Sequence, residues 1–490
     1  MSNARALWRE KAQLWAFFAL IVFAPLPLGG NRPWALALLG LFTGSLLLLN
    51  IWLGGGCQNI LRERLLRVPL IASLLWILLL AIQLVPLPIA WVEVLGRREF
   101  YGPIRHGGEF IPISIDVYST RLYLAKACIL SAVFWLVIVL VNSRRRLKWL
   151  ARIIVFSGLL QAVVGIFLMA TGTTFSMFFV EMSNPRGHGT FVSPNNFAGY
   201  LELTLAVGIG YMIAKLDGHA VSNWRERLHG WLTVLISEKA LLRLSLIIMV
   251  VGLVASRSRM GNAAFFASLL IVGTLAIFLI RQAAKNVQGG REKNTLQVMM
   301  VFIASLVVLD VFIIGGVVGV EKVVQRIENT NIALLNNQQA GNASGRIHLQ
   351  EQSLEERGEV AEVSLRLIRD FPWMGTGGGT FHLAFMHYQP LEMKGYFDHP
   401  HNDFIEFLSE TGVVGGLLLL AILLHSIKCS VLQLIRSHDQ YARGMAFASL
   451  MGVISLLIHG AVDFNFQILA TSILFMVVVS LPYLSILLKR

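Results

Sequence analysis

The chain has 490 residues, 56% hydrophobic and 14% charged, with a mean hydropathy of +0.67. About a quarter of a soluble domain's residues are charged, so this composition excludes that class and points to an all-α polytopic membrane protein. The net charge of +13 indicates no nucleic-acid partner, because Lys and Arg are dispersed among short segments between apolar runs, as cytoplasmic loops require. Cys57, Cys128 and Cys429 are too few and scattered for a disulfide framework or a thiolate metal site.

Taken in order, the apolar runs predict about twelve transmembrane helices. Residues 1–148 hold four, near 13–29, 34–53, 68–88 and 122–142, with a polar stretch at 89–121. The first lacks a small-residue cleavage site and reads as a retained helix. Residues 149–320 hold five more, near 149–171, 195–215, 240–256, 260–280 and 297–320. A polar segment, 321–404, separates these from the last three spans in 405–490.

Basic clusters such as Arg144, Arg145, Arg146 and Lys148 fall on every second connection if the N-terminus is inside, which makes both termini cytoplasmic. The outward face then receives residues 89–121, Arg186 and His188, Arg257 and Arg259, residues 321–404, and Asp463. Outward arginines run against the positive-inside bias, and their concentration suggests an anionic ligand.

Within 321–404, Val360, Val363, Leu367 and Ile368 recur at helical spacing and stop before Pro372. GTGGGT, at 375–380, lacks the preceding strand and the Lys of a phosphate loop and reads as a tight turn. FHLAFMHY is a second short helical pattern. The segment is therefore expected to be a helical periplasmic loop between the ninth and tenth spans.

The stretch HPHNDFIEFLSETG, 399–412, lies where that loop enters the bilayer. Titratable groups at such a boundary are candidate site residues. An imidazole at His401, steadied by a carboxylate, can take a proton from a hydroxyl; the competing reading is a helix-capping segment with incidental histidines. Arg257 and Arg259 suit a phosphate clamp or headgroup snorkelling. Arg346, after Gly345, suits a loop-to-helix anion site or a solvated charge. Asn195 and Asn196 cap a span or bind sugar hydroxyls. Asp463 orients His401, pairs an arginine or faces water.

His401, Asn402 and Gly412 together resemble the H-[NSQ]-x9-[GP] signature of O-antigen ligases. FVSPNNFAGYLEL, ASRSRMG, SGRIHLQ, LIRDFPWMGTGGGTF and HGAVDFNF are similar, in order across roughly residues 150–470, to successive motifs of the wider ligase and polymerase superfamily. The first four spans carry no such motif. The resemblance implies a bacterial inner-membrane enzyme with its site on the periplasmic side. It would move O-antigen from undecaprenyl diphosphate to a sugar hydroxyl of lipid A–core, by inverting transfer without metal or other cofactor. His401 takes the place of the family's essential histidine. Arg257 or Arg259, Arg346 and, by topology, Arg186 take the diphosphate, with His399, Asn402, Asp463, Asn195 and Asn196 in support. An O-antigen polymerase, a protein O-oligosaccharyltransferase and, from another class, a lipid-linked glycan flippase or transporter remain as alternatives.

Overall fold

The computed structural model describes residues 2–53, 63–95, 110–172, 186–216, 238–285, 354–393 and 395–488, with single helical positions at 301, 304, 305 and 308. Among the described residues, nine helices are long and apolar enough to cross a membrane. They are α2 (Pro33–Trp52), α3 (Arg67–Gln83, lengthened by the helical turn Arg64–Leu66), α5 (Val117–Leu140), α6 (Arg144–Ala170), α7 (Pro194–Ala214), α9 (Arg259–Lys285), α12 (Asp403–Arg436), α13 (Gln440–Gly460) and α14 (Leu469–Leu487). Two further helices, α1 (Ser2–Phe23) and α8 (Glu238–Ala255), fall where spans are expected, while the expected span at 297–320 lies largely outside the described residues. The molecule is an all-α polytopic membrane protein.

Side-chain caps define the helix starts. Asp116, Ser143, Ser193, Asn402 and Asp439 accept hydrogen bonds from the first backbone N–H groups of α5, α6, α7, α12 and α13. Pro194, at the first position of α7, has no N–H to leave unsatisfied.

Burial sorts the helices into an inner and an outer set. The most apolar windows of α7, α13 and α14 are 94%, 78% and 89% buried, against 28% for α2, so the first three are central and α2 presents Leu41, Leu48 and Trp52 outward. α7 and α13 cross closely at Gly210 and Gly444: a side chain at Gly210 would meet the Gly444 carbonyl. Small residues there allow the close backbone packing on which helix association in a bilayer depends.

A cap sits on one end of the bundle. Its helices are the short α4 (Ile89–Leu95), α10 (Leu354–Asp370) and α11 (Phe381–Tyr388), with two-residue strands β1 (Leu87–Pro88) and β2 (Phe110–Ile111) paired antiparallel. Val92, Ile111, Ile113, Val360, Val363, Leu367, Phe381, Phe385 and Phe397 form its own buried core. Two polar stretches that read as separate loops in the sequence thus fold as one unit. The β-pair departs from a purely helical expectation.

α12 is broken at Gly412 (φ 63°, ψ −171°). The freed backbone groups are taken up by the strip Pro372–Gly377: Thr376 N–H donates to Ser409 O at 2.9 Å and Gly377 N–H to Glu410 O at 3.0 Å. Beyond the break, Val413 N–H donates to Pro372 O at 2.8 Å and Val414 N–H to Trp373 O at 3.3 Å. Irregular backbone inside a span survives only where protein re-satisfies it. The glycine-rich turn does so, helped by Gln83, whose amide donates to Met374 O (2.7 Å) and Glu410 O (2.9 Å) and accepts from Gly378 N–H (3.1 Å).

Candidate functional site

At the cap end, Asn402 caps α12 through Oδ1, which accepts from Phe404 N–H (3.0 Å) and Ile405 N–H (3.1 Å). Its Nδ2 donates to Ala461 O at 2.8 Å, tying the start of α12 to the end of α13. The residue before it, His401, has φ +50°. The described non-glycine residues with positive φ are Leu28, Arg257 and His401, so two of the three are candidate site residues. Backbone in this region is strained for a side chain and persists only where the surroundings over-determine it.

The His401 side chain is 20% exposed and places Nδ1 3.5 Å from Asp463 Oδ1, a charge contact longer than a good hydrogen bond. Asp463 is buried and firmly held: Asn195 Nδ2 donates to its Oδ2 at 2.7 Å, and its own chain donates from Phe464 N–H to Oδ1 at 2.9 Å. Burial would raise this carboxyl, but His401, His459 and Arg357 outweigh it and hold it down at about 2. Arg357, from the first turn of α10, donates from Nη1 to Val462 O at 3.0 Å, and its buried Nε has no partner among the described residues.

A second imidazole–carboxyl pair lies beside the first. His399 Nδ1 is 2.8 Å from Glu406 Oε1, and the ring stacks on Phe464 with centroids 4.2 Å apart. His401 meets the same Phe464 edge-on at 5.0 Å. Burial pushes His399 down to about 4, against the nearby Asp398 and Glu410, so its ring is neutral at pH 7. Asp403, Glu406 and Glu410 form a buried stripe along α12. Phe466 N–H donates to Asp403 Oδ2 at 3.1 Å, and Phe381 N–H at the start of α11 donates to Glu410 Oε1 at 3.2 Å.

Of the arginines of SRSRMG, Arg257 lies in the turn between α8 and α9 and Arg259 opens α9. Ser256 and Ser258 are buried and bonded within the turn, whereas Arg257 and Arg259 are exposed. Gly187 N–H donates to Ala255 O at 3.0 Å, which brings the partly exposed Arg186 into the same neighbourhood. The turn abuts the C-terminal end of α13: a side chain at Gly261 would meet Ser258 and the His459 ring. His459 is fully buried, with Nδ1 2.7 Å from Glu202 Oε1, while Ser455 Oγ donates to Glu202 Oε2 at 2.6 Å. The arginine turn therefore borders α13 four residues before Asp463.

The structure thus gathers His401, His399, Asn402, Asp463 and Asn195 at one locus, with Arg257, Arg259 and Arg186 at an adjoining turn. Asn196 faces inward instead, buried in α7 with Oδ1 unpartnered among the described residues. His188 is buried, its Nδ1 3.1 Å from Phe191 O, and burial lowers its pKa. Arg346 lies outside the described residues. Sequence reasoning did not single out Arg357, or Lys126 of α5, whose Nζ donates to Phe466 O (3.0 Å) and Gln467 O (2.9 Å) just past Asp463. The only available signals were an arginine at the start of a helical pattern and a lone charge within an apolar run.

In comparison with known proteins, residues 244–420 match the family model described as O-antigen ligase. No curated protein matches the sequence. The matched stretch holds Arg257, Arg259, Arg357, His399, His401, Asn402 and Gly412, whereas Asn195 and Asp463 lie outside it. It supports a glycosyl-transfer enzyme of the O-antigen ligase or polymerase type, with lipid-linked glycan and lipid A–core as partners in general terms. The apolar helices agree with a multi-pass membrane protein. The match covers residues 244–420 of 490, just over a third of the chain, and through this segment it supports a likeness to the O-antigen ligase superfamily.

Proposed function

We propose that the chain transfers O-antigen from undecaprenyl diphosphate to a sugar hydroxyl of lipid A–core, at the periplasmic face of the bacterial inner membrane. The observation that carries this reading is the locus formed by His401, Asp463, Asn195 and Arg357. A partly exposed imidazole has one nitrogen turned to a held carboxylate, and a guanidinium is anchored next to that carboxylate.

With Nδ1 directed at Asp463, the nitrogen of His401 left for substrate is Nε2, the general base. The acceptor oxygen forms its bond to the anomeric carbon as the carbon–oxygen bond to diphosphate breaks. The hydroxyl proton passes to Nε2, and the leaving diphosphate keeps the electron pair. Direct displacement inverts the anomeric configuration. The growing negative charge is met by guanidinium groups from Arg357 and from Arg257 or Arg259, with Arg186 close by, so the step needs no metal. This account moves a cationic role onto Arg357. Arg346 stays in the proposal on resemblance alone.

The test is reconstitution of purified enzyme with a lipid-linked glycan, with lipid A–core and a second lipid-linked glycan as competing acceptors. Glycosylated lipid A–core with inverted anomeric configuration, formed in the presence of EDTA, is the expected product. Extension of the lipid-linked glycan instead makes the enzyme a polymerase. For orientation, a cysteine replacing Glu359 should be labelled from outside on a cysteine-free background, and one replacing His438 should not. The reverse pattern refutes a periplasmic site.

A further inference from the structure

Lys126 lies in the middle of α5, a membrane-crossing helix outside the family-matched segment. A charge within a span is costly, and such residues are retained where they serve a site or pathway. The simplest role for such a lysine is snorkelling, in which the stem lies along apolar surface and the ammonium reaches water. Here the ammonium is occupied by protein. Nζ donates to Phe466 O at 3.0 Å, to Gln467 O at 2.9 Å and to Gln467 Oε1 at 3.1 Å. It also lies within charge range of Asp403, Glu406 and Glu410 on α12.

The carbonyls it holds belong to the short turn Asn465–Gln467 between α13 and α14, which begins two residues after Asp463. The connection 462–467 that contains it is gripped from several sides. Arg357 holds Val462 O, Asp403 N–H donates to Asp463 O at 3.2 Å, and Asp403 Oδ2 accepts from Phe466 N–H. Phe464, which both imidazoles contact, lies within the same stretch. The grip from α10 and α12 comes from the side of the cap; Lys126 supplies the grip from α5. An ammonium with three donors can hold two successive carbonyls and a side-chain amide oxygen at once.

We infer that Lys126 is a positioning residue for glycosyl transfer, holding the 462–467 turn so that Asp463 and Phe464 keep His401 aimed at the acceptor hydroxyl. The inference rests on the transfer reaction proposed above. It extends the working unit to the N-terminal helices, where no family motif lies. Lys126 touches no substrate; it acts through Phe466, Gln467 and Asp463.

The experiment uses the full-length enzyme in nanodiscs and compares wild type with Lys126→Met and Lys126→Arg. Saturating transfer, donor KM and hydrogen exchange across residues 461–468 are measured. Misplacing catalytic groups by about 1 Å can cost about 10²-fold. Lys126→Met should therefore lower kcat by roughly 10- to 100-fold while donor KM stays within about twofold. Exchange in 461–468 should rise, with the cap helices unchanged. Lys126→Arg, which restores N–H donors, should recover much of kcat and the protection. The inference is overturned if Lys126→Met keeps its kcat. It is equally overturned if exchange rises throughout the protein, which marks a general structural role, or if donor KM rises with kcat unchanged. Hydrogen exchange tests the grip even if wild-type enzyme transfers nothing, and absent wild-type transfer counts against the proposed function instead.

Discussion

Replacing Gly412 by alanine tests whether the break in α12 is required. Its φ of 63° and ψ of −171° fall in a region open essentially to glycine alone. Holding another residue there costs roughly 1–3 kcal/mol. A Cβ would also run into the backbone of Trp373 and Met374, so the strip must move. Four backbone hydrogen bonds cross between the strip and α12, and at about 0.5–1.5 kcal/mol each they are together worth roughly 2–6 kcal/mol. The chain has an escape: α12 can continue as a regular helix, which alanine favours over glycine by about 1 kcal/mol. The Ser409 and Glu410 carbonyls then return to the N–H groups of Val413 and Val414, and the strip loses its seat. We therefore expect Gly412→Ala to insert in the membrane but to bind the cap poorly. Its thermal midpoint should fall, the cap should become protease-sensitive, and transfer should drop by about 10²-fold or more as His401 is displaced. A variant with wild-type midpoint, protease resistance and transfer rate would refute the reasoning.

Asp463→Asn keeps the shape of the side chain and removes its charge, so single-turnover transfer should fall by about 10²-fold or more with donor affinity nearly intact; an unchanged rate removes Asp463 from the mechanism. Arg357→Ala should weaken donor binding as well as turnover, and Arg357→Lys should not restore either fully, because ammonium lacks the planar fork. Full rescue by lysine, measured by donor titration, would show a point charge to be sufficient. His399 is held down to about 4 against an ordinary value near 6.5, so between those limits the unfolded chain binds a proton that the folded one does not. The His399 contribution to stability should thus be complete above about pH 6.5 and fall as pH drops towards 4, by on the order of 3 kcal/mol. The difference in thermal midpoint between wild type and His399→Gln across that window checks this, and a wild-type advantage that grows on acidification contradicts it.

Hydropathy made the spans legible, since each long apolar run must cross the bilayer as a helix whatever its neighbours do. His401 and Asn402 were legible as residues that open a helix at the membrane boundary, whereas Gly412 entered only through the signature the three resemble, and the break it makes in α12 was not read from the sequence. Asp463 stood out as a carboxylate at the outer end of a span. Lys126 did not, because one charge scarcely alters a window of apolar residues, and its acceptors lie some 340 positions away. The cap core was hidden similarly. Ile111 and Ile113 sit in a short stretch too brief to show a period, and their burial depends on docking against α10 and α11.

The arginines of α10 show where pattern reading ends. Arg357 and Arg366 stand nine positions apart, which at about 3.6 residues per turn puts them on opposite sides of the helix. Arg357 reaches Val462 beside Asp463, whereas Arg366 is exposed on the outer side with Arg369, His387 and Tyr388. Both are equally good candidates in sequence, because periodicity separates helix faces without saying which face meets the site. That choice is made by Val360, Val363 and Leu367, which seat α10 on the cap core and rotate Arg357 inward. Identifying the cation beside His401 therefore depends on how the cap packs, and a longer motif would not have supplied it.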